Sequence, residues 1–369
     1  MWITNERLKE DLDNFIKLDF IEWERFRNKI FFVTGATGVI GFNLISGLIY
    51  ANIQKQLDLK IIALVRDLKK AEKRYAEHMN DCECLEFLVG DVIELPEIEE
   101  GIDYIIHTAS PTASNYFIEN PVETIKISVL GTMNVLELAR EKKIKGMIYT
   151  SSMEVYGSPK TEDVLWEEDV GYMNPLVVRN CYPEGKRLCE SMCVSYASEY
   201  DVPVMSIRLA QTFGLGIEKN DSRVFAEFAR CAIEKKDIVL LTDGNSKRCY
   251  LYTMDAVSAI LTVLTKGEPG TAYNAGNPKT YCSVREMAEM VVKNFADNAI
   301  KVELSENLRR SKKFPPPHFY NLGIYRISRL GWKAEKGLEE MYQVLLETIR
   351  REFIGNESSK KKSCSYGTW

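Results

Sequence analysis

The sequence predicts an α/β fold in which a doubly wound parallel sheet is joined to a smaller C-terminal α/β lobe. Short apolar runs, among them KIFFV, KIIALV, LEFLV, YIIHTA and GMIYTS, alternate with stretches of helical periodicity. Such runs are typical of parallel strands buried on both faces, and their alternation with helices predicts the doubly wound topology. A chain of 369 residues that is 45% apolar can bury one large core or two linked ones.

The pattern divides the chain into four regions. Residues 1–28 place apolar side chains at helical spacing and predict an amphipathic helical extension. Residues 29–210 contain the alternation of strands and helices and predict the main domain, to which the chain returns near 249–265. Residues 211–354 have a looser pattern and predict mainly the second lobe. Residues 355–369 lack an apolar face and predict a disordered tail.

The charge balance and the cysteines exclude several classes of protein. Lys and Arg number 48 against 53 Asp and Glu, for a net charge of -5, and no basic tract is large enough to hold a nucleic-acid backbone. No apolar stretch approaches the roughly 20 residues that cross a bilayer. The nine cysteines lack the paired spacing of a disulfide framework or a zinc site. The sequence therefore predicts a cytoplasmic protein with no nucleic-acid partner, no membrane partner and no metal.

A glycine-rich motif, VTGATGVIG, lies between the first apolar run and the first apolar helix. Gly35, Gly38 and Gly41 let the backbone turn sharply and approach a pyrophosphate, whose charge the free amides and the positive end of the helix stabilise. The motif therefore predicts that the main domain binds a dinucleotide. The cofactor-binding residues predicted in this turn are Gly35, Thr37, Gly38, Val39, Ile40 and Gly41.

The residue at the end of the second strand distinguishes the two nicotinamide dinucleotides. An acidic side chain there binds the ribose hydroxyls of NAD, whereas an arginine accommodates the 2′-phosphate of NADP. The segment LVRD places Arg66 at this position and Asp67 directly after it. The residues alone therefore leave the choice between NAD and NADP open.

A serine, a tyrosine and a lysine form a second constellation. Ser152 ends an apolar run in TSSMEVYG, and thirty residues later CYPEGKR contains Tyr182 and Lys186. The spacing of four places the tyrosine and the lysine on one face of a helix, where a cation favours the phenolate. The pKa of a free tyrosine is about 10, and a neighbouring cation lowers it. The pair therefore predicts that Tyr182 acts as a base in hydride-transfer chemistry and that Ser152 shares the proton.

Taken in order, these motifs resemble the extended short-chain dehydrogenase/reductases that modify nucleotide sugars. The resemblance runs from about Lys29 to Val292. It implies a Rossmann fold, NAD as the cofactor, and a catalytic set of Tyr182, Lys186 and Ser152. The motifs that carry it are TGATGVIG, GDV at Asp91, HTAS from His107, SSMEVYG, Tyr182 to Lys186 and RCYLYTMDA from Arg248. The further cofactor contacts that it implies are Asp91, Val92, Ala109, Ser110, Tyr182 and Lys186.

Within that family the chain is most similar to the UDP-glucuronate decarboxylases. The segments HTASPTASNYFIENPVETIK, VRNCYPEGKR and FGLGIEKNDSRVFAEF are similar to that group's patterns, as is Glu154 in SMEVYG. The resemblance adds Glu154 to the catalytic residues. The substrate-binding residues that it implies are Gln211, Arg223, Arg248 and Asn274. A guanidinium suits a diphosphate because it makes two charge-assisted hydrogen bonds to it.

The resemblance implies one opening step for the whole group. Tyr182 removes the proton of the sugar's 4-hydroxyl while C4 gives hydride to the nicotinamide, and the resulting 4-ketose loses carbon dioxide if C5 carries a carboxylate. A 4-epimerase stays open as the main alternative. A 4,6-dehydratase is disfavoured because the thioether of Met153 stands where that enzyme carries an acid. Arg66 motivates an NADP-dependent reductase.

Two further expectations complete the sequence-based interpretation. A nucleotide-binding module without catalysis is the alternative from another functional class, and the intact serine, tyrosine and lysine argue against it. The resemblance also implies a homodimer that pairs through helices such as the one predicted from about Pro121 to Lys142, and a place in the synthesis of polysaccharide precursors.

Overall fold

A computed structural model of the chain describes residues 6–79, 83–112, 114–306 and 317–364. The strands are β1 (Ile30–Thr34), β2 (Lys60–Val65), β3 (Leu85–Val89), β4 (Tyr104–His107), β5 (Gly146–Ser152), β6 (Val164–Leu165), β7 (Val204–Leu209), β8 (Gln211–Phe213), β9 (Ile238–Leu240), β10 (Lys247–Tyr252), β11 (Ala272–Ala275), β12 (Asn277–Ser283), β13 (Val302–Leu304) and β14 (Phe319–Leu322).

Helices cover both faces of the main sheet and much of the second lobe. They are α1 (Glu6–Phe15), α2 (Val39–Lys55), α3 (Leu68–Arg74), α4 (Ala76–Met79), α5 (Ser114–Glu119), α6 (Pro121–Lys142), α7 (Cys181–Tyr200), α8 (Val224–Glu234), α9 (Thr253–Lys266), α10 (Val284–Phe295), α11 (Tyr325–Ser328) and α12 (Leu338–Cys364). Three short 3₁₀ helices span Trp23–Phe26, Met153–Tyr156 and Val178–Asn180.

The main sheet has seven strands in the order β11-β7-β5-β4-β1-β2-β3, and every neighbouring pair is parallel. Successive residues of β1 pack on opposite sides of it: Phe31 and Val33 join one apolar cluster, and Phe32 joins the other. Helices α2 and α9 cover the first side, and α6 and α7 cover the second. This arrangement explains the uninterrupted apolar runs and confirms the predicted doubly wound α/β fold.

The direction of winding reverses between β1 and β4. The chain proceeds from β1 to β2 and β3 on one side, and from β4 to β5, β7 and β11 on the other. Ligands of doubly wound sheets bind in the crevice outside the carboxyl ends of the strands at such a switch point. The topology therefore places the candidate site where Thr34 ends β1 and His107 ends β4.

The second lobe is built around β10. This strand pairs with β12 on one side and β14 on the other, β14 pairs with β6, and β8 also pairs with β10. After Tyr252 the chain enters α9 and returns to the main domain. The lobe is thereby fixed to the carboxyl edge of the main sheet, above the switch point.

The N-terminal extension is a shorter helix than its periodicity predicts. Helix α1 ends at Phe15, although the apolar spacing continues to Phe26. The Phe15 ring lies against Gly47 of α2, where a Cβ would be 2.7 Å away, and the Trp23 ring packs against Phe15 edge-on at 5.2 Å. The chain must turn after Phe15 for the Trp23 ring to reach the Phe15 ring. The extension therefore consists of a helix, a turn and a 3₁₀ helix, and α1 packs on α2 and α9.

The C-terminal end also differs from the expectation. The disordered tail is predicted from residue 355, whereas α12 continues to Cys364. Residues 356–364 contain neither Gly nor Pro, and their Glu and Lys are good helix formers, so nothing local ends the helix. Residues 365–369 and the proline-rich stretch at 311–316 lie outside the described residues. Of the helices described, none combines the length and apolarity that crossing a membrane requires.

Candidate active site

One continuous cleft follows the carboxyl ends of the central strands. Two cavities of about 310 and 370 Å³ share Gly38, Thr108, Ser110 and Thr112 in their walls and form its two halves. Eighteen of the predicted site residues line this cleft. They are Gly35, Thr37, Gly38, Val39, Ile40, Gly41, Arg66, Asp91, Val92, Ala109, Ser110, Ser152, Glu154, Tyr182, Lys186 and Gln211, with Arg223 and Arg248 completing the wall.

The glycine-rich turn has the shape that a close-lying anion requires. Gly35 has a φ of +66°, and a Cβ on it would lie 2.6 Å from Oγ1 of Thr108. A Cβ on Gly41 would lie 2.4 Å from the carbonyl oxygen of Gly35. Gly38 precedes α2, and no side chain caps this helix terminus, so its first amides stay available. The turn therefore fits the pyrophosphate of a dinucleotide.

The adenosine half of the cleft lies between the ends of β2 and β3. Arg66 follows β2 and lines this half together with Lys70, Asp91 and Val92. The Arg66 guanidinium is 3.9 Å from the Asp91 carboxylate. The Asp67 carboxylate accepts a hydrogen bond of 3.0 Å from the amide of Lys70 and caps α3.

The serine, the tyrosine and the lysine meet at the junction of the two lobes. Ser152 ends β5, and Tyr182 and Lys186 lie one turn apart at the start of α7. Lys186 Nζ donates a hydrogen bond of 2.7 Å to the carbonyl oxygen of Thr150, and it lies 5.8 Å from the centre of the Tyr182 ring. The spacing in the sequence therefore brings the tyrosine and the lysine to one face, as predicted.

Burial dominates the ionisation of this pair. It raises the pKa of the Tyr182 phenol, and the Glu154 carboxylate adds to the increase, while a hydrogen bond with Ser152 opposes it. Burial also lowers the pKa of Lys186 to about 8. The structure thus differs from the expectation that a neighbouring cation lowers the pKa of the phenol toward neutrality, because burial outweighs the effect of the neighbouring charges.

Two residues without a role in the sequence-based interpretation complete this region. The Phe117 ring stacks on the Tyr182 ring at a centroid distance of 4.3 Å and an angle of 6°. The Arg179 guanidinium lies 5.3 Å from the centre of the Phe117 ring and forms a two-fold ion pair with Glu154, at 2.5 and 3.0 Å. Arg179 precedes Tyr182 by three residues, so its position in the sequence could have indicated that it lies near the site. Phe117 comes from a distant segment, so no local pattern points to it.

The substrate half of the cleft carries the predicted arginines. Arg248 Nη1 donates a hydrogen bond of 3.1 Å to the side-chain oxygen of Gln211, and its buried Nε has no partner among the described residues. The Arg223 guanidinium pairs with Asp221 at 2.5 to 3.1 Å and lies over the Phe225 ring. Both arginines reach the wall, although Arg223 is partly engaged in a structural ion pair.

Asn274 does not line either cavity, so the structure does not place it with the other residues predicted to bind substrate. The side chain is fully buried at the end of β11. Its amide donates hydrogen bonds of 3.0 Å to the carbonyl oxygens of Leu165 and Gly323, and its oxygen accepts one of 2.7 Å from the Tyr156 hydroxyl. These bonds join the second lobe to the main sheet and engage both the amide and the oxygen of the side chain.

We therefore expect Asn274→Ala to act on stability and not on binding. The substitution removes three buried hydrogen bonds. The Leu165 carbonyl keeps its bond from the Gly323 amide and the Tyr156 hydroxyl keeps its bond from Arg208, so the cost in the free energy of unfolding is about 1 to 3 kcal/mol. Urea denaturation followed by circular dichroism measures this loss. The affinity for UDP, measured by calorimetry at a temperature where the variant is folded, should stay within about two-fold of the parent. A large loss of UDP affinity with full stability would return Asn274 to the binding site.

Three comparisons with known proteins bear on this site. The model of the NAD dependent epimerase/dehydratase family matches residues 31–276. UDP-glucuronic acid decarboxylase 1 of Xenopus tropicalis is 29% identical over 331 residues, which cover 89% of this chain and 74% of that protein. UDP-glucuronic acid decarboxylase 6 of Arabidopsis thaliana is 29% identical over 320 residues, which cover 86% and 88%.

Solved structures share the fold. The dTDP-glucose 4,6-dehydratase of Streptomyces venezuelae, determined with NAD and TYD bound, superposes with a TM-score of 0.73 at 20% identity and covers 87% of this chain and 97% of its own. An epimerase from Methanothermobacter thermautotrophicus superposes with a TM-score of 0.73 at 22% identity and covers 92% and 97%. Enzymes that catalyse different overall reactions, a dehydration and an epimerisation, thus share this architecture.

Proposed function

The chain belongs to the NAD dependent epimerase/dehydratase family, and from this premise we propose that it modifies a nucleotide sugar through a 4-keto intermediate, as a UDP-glucuronate decarboxylase does. The observation that carries the proposal is the meeting of Ser152, Tyr182 and Lys186 in the cleft that the glycine-rich turn opens. The decarboxylase relatives, similar over most of the chain, support the choice of reaction.

The residues of the cleft fit a nicotinamide dinucleotide. The turn from Gly35 to Gly41 would hold its pyrophosphate, and Asp91 and Val92 would border its adenosine. Such a dinucleotide, when bound, supplies the hydride acceptor and donor that a 4-keto route requires. The protein's part is to orient the sugar against it and to manage the proton of the 4-hydroxyl.

Tyr182 is the residue that would take up that proton. Its ring is fixed between the stacked Phe117 ring and the buried Lys186 ammonium, so the phenol has one orientation. Burial raises its pKa, which makes the phenolate a strong base that is populated more as the pH rises. Ser152 shares a hydrogen bond with the phenol and would hold the sugar hydroxyl beside it.

Glu154 and Met153 bear on the alternatives that the sequence leaves open. Both carboxylate oxygens of Glu154 contact the Arg179 guanidinium. A 4,6-dehydratase must protonate the departing 6-hydroxyl, and the thioether of Met153, which stands where that enzyme carries an acid, cannot donate a proton. A 4-keto uronate loses carbon dioxide without such an acid, because the ketone stabilises the resulting carbanion. A 4-epimerase needs only room for the ketose to turn and is therefore the second candidate.

Incubation of the purified protein with UDP-glucuronate and added NAD or NADP tests the proposal. Decarboxylation releases carbon dioxide and yields a UDP-pentose, which mass spectrometry and proton NMR identify. An unchanged mass with altered sugar coupling constants would indicate a 4-epimerase instead. Absence of any reaction would refute the glucuronate assignment. Net reduction of the added NAD or NADP would favour a dehydrogenase or reductase that exchanges its cofactor with solution, and ligand binding without turnover would favour a non-catalytic module.

We also infer that the nucleotide-sugar enzyme is a homodimer. Apolar side chains that are 40% to 64% exposed lie on α6 and α7, which pack side by side. They are Val122, Ile125 and Met133 on α6 and Leu188 and Val194 on α7. A second copy of the same two helices would cover this surface and remove its apolar area from water.

The exchange Ile125→Asp combined with Val194→Asp is expected to give a monomer. Two carboxylates placed in the centre of an apolar contact lose their hydration when the copies associate, which costs several kcal/mol. Light scattering after size-exclusion chromatography measures the mass. Ile53→Asp on α2, a similarly exposed apolar position on the other side of the sheet, is the matched control and should leave the dimer intact. A parent protein that is already monomeric would contradict the inference.

The state of the cysteines supports a reducing compartment, and we infer a cytoplasmic location from it. Six of the cysteines that the structure describes are free thiols, namely Cys181, Cys189, Cys193, Cys231, Cys249 and Cys282. Disulfide bonds persist in oxidising compartments and are rare in the cytosol.

A further inference from the structure

The adenosine half of the cleft carries two cations and lacks an available carboxylate at the end of β2. Arg66 directly follows this strand, and Lys70 lies one turn further on, and both side chains line the cavity. In NAD-binding sites of this fold an acidic side chain at this position binds the ribose hydroxyls. The features of this chain that bear on that contact are Arg66, Asp67 and Asp91.

The Asp67 carboxylate already forms a hydrogen bond within the protein. It accepts the amide hydrogen of Lys70 at 3.0 Å and serves as the N-cap of α3. An N-cap of this kind contributes about 1 kcal/mol to the stability of a helix, so a ribose would have to compete with it. Asp67 also lies outside the residues that line the cavity, whereas its neighbour Arg66 lies among them.

Asp91 does not supply the carboxylate that is missing at the end of β2. This residue follows β3, one strand further out, and its carboxylate accepts a hydrogen bond of 3.0 Å from the amide of Ile93. The Asp91 carboxylate approaches the Arg66 guanidinium no closer than 3.9 Å, and the Arg66 side chain is 72% exposed. The guanidinium therefore keeps most of its donors available. The described residues also give the Lys70 ammonium no ion-pair partner.

We propose that Arg66 and Lys70 form a phosphate subsite that takes the 2′-phosphate of NADP, so that this chain binds NADP more tightly than NAD. A planar guanidinium makes two parallel charge-assisted hydrogen bonds to a phosphate, and an ammonium adds a mobile point charge. The two dinucleotides differ only in this phosphate, so the glycine-rich turn serves both. The subsite concerns the cofactor and not the sugar, and it therefore stands or falls separately from the proposed decarboxylation.

Calorimetric binding to the full-length protein tests the subsite without any turnover. The first comparison uses 2′,5′-ADP against 5′-AMP, which differ only in the 2′-phosphate, and the second uses NADP against NAD. One charged hydrogen-bonding contact corresponds to about a 10- to 100-fold gain in affinity, and we expect this gain in both comparisons. Raising the salt concentration should reduce this gain in affinity, because the Arg66 and Lys70 side chains are exposed and salt screens their charges. Equal affinities, or tighter binding of NAD, would overturn the proposal.

Variants locate the effect. Arg66→Gln should remove most of the preference for 2′,5′-ADP and change the affinity for 5′-AMP by less than about three-fold, and Lys70→Gln should remove a smaller part. Lys69→Gln is the matched control, since it removes the same charge from an exposed side chain of α3 that does not line the cavity. If Lys69→Gln weakens 2′,5′-ADP as much as Arg66→Gln does, the attraction is a diffuse charge effect and no subsite exists.

Discussion

The exchange Tyr182→Phe is expected to lower kcat by about 10²- to 10⁴-fold while leaving the fold intact, because it removes the one phenol positioned to take the proton of the sugar's 4-hydroxyl. The phenylalanine ring retains the stacking on Phe117, so the thermal stability should change little. Conversion of the nucleotide sugar, followed by mass spectrometry, measures the rate, and circular dichroism measures the fold.

Tyr172→Phe provides the matched control, since it removes a phenol that is largely exposed and outside the cleft. The pH dependence adds an independent readout. Because burial raises the pKa of Tyr182, the rate of the parent enzyme should increase with pH through the neutral range into the alkaline one. Full activity of Tyr182→Phe, with the pH dependence of the parent retained, would remove the tyrosine from the mechanism.

The exchange Gly41→Ala is expected to weaken dinucleotide binding by about 10- to 100-fold and to lower stability by about 1 to 3 kcal/mol. Its Cβ would lie 2.4 Å from the Gly35 carbonyl oxygen and 2.9 Å from Cα of Ala36. Both neighbours are backbone atoms, so the start of α2 must move away from the turn that holds the pyrophosphate.

Calorimetry with the dinucleotide and urea denaturation measure the two effects of Gly41→Ala. Gly101→Ala is the matched control, because no atom lies within 4 Å of the Cβ that it introduces and the residue lines neither cavity of the cleft. Unchanged affinity in Gly41→Ala would show that α2 can retreat without disturbing the turn, and the close packing of Gly41 would then carry no functional weight.

The predicted residues that the structure brings together in the cleft share a property. The glycine-rich turn, the serine that ends β5 and the tyrosine and lysine one turn apart are each set by spacing within a short segment. A helical or strand period fixes the relative direction of side chains before any tertiary contact forms.

The residues that were missed, or that the structure does not place in the cleft, depend on segments that are distant in the sequence. Asn274 bonds to Leu165 and Gly323, and it is separated from them by 109 and 49 positions. Phe117 meets Tyr182 only because α5 and α7 pack at the same end of the sheet. An asparagine in a buried strand gives no local sign of whether its amide faces a ligand or three protein groups.

By itself the sequence therefore determined the doubly wound α/β fold, the glycine-rich turn and the shared face of Tyr182 and Lys186 on α7, because these follow from local periodicity and from glycine conformation. Only the tertiary structure decided that Arg179 pairs with Glu154 and that Asn274 bonds to the second lobe. The physical reason is that a polar side chain bonds to the groups that the fold places within hydrogen-bonding distance. Those groups come from segments that are distant in the sequence, so only folding brings them together.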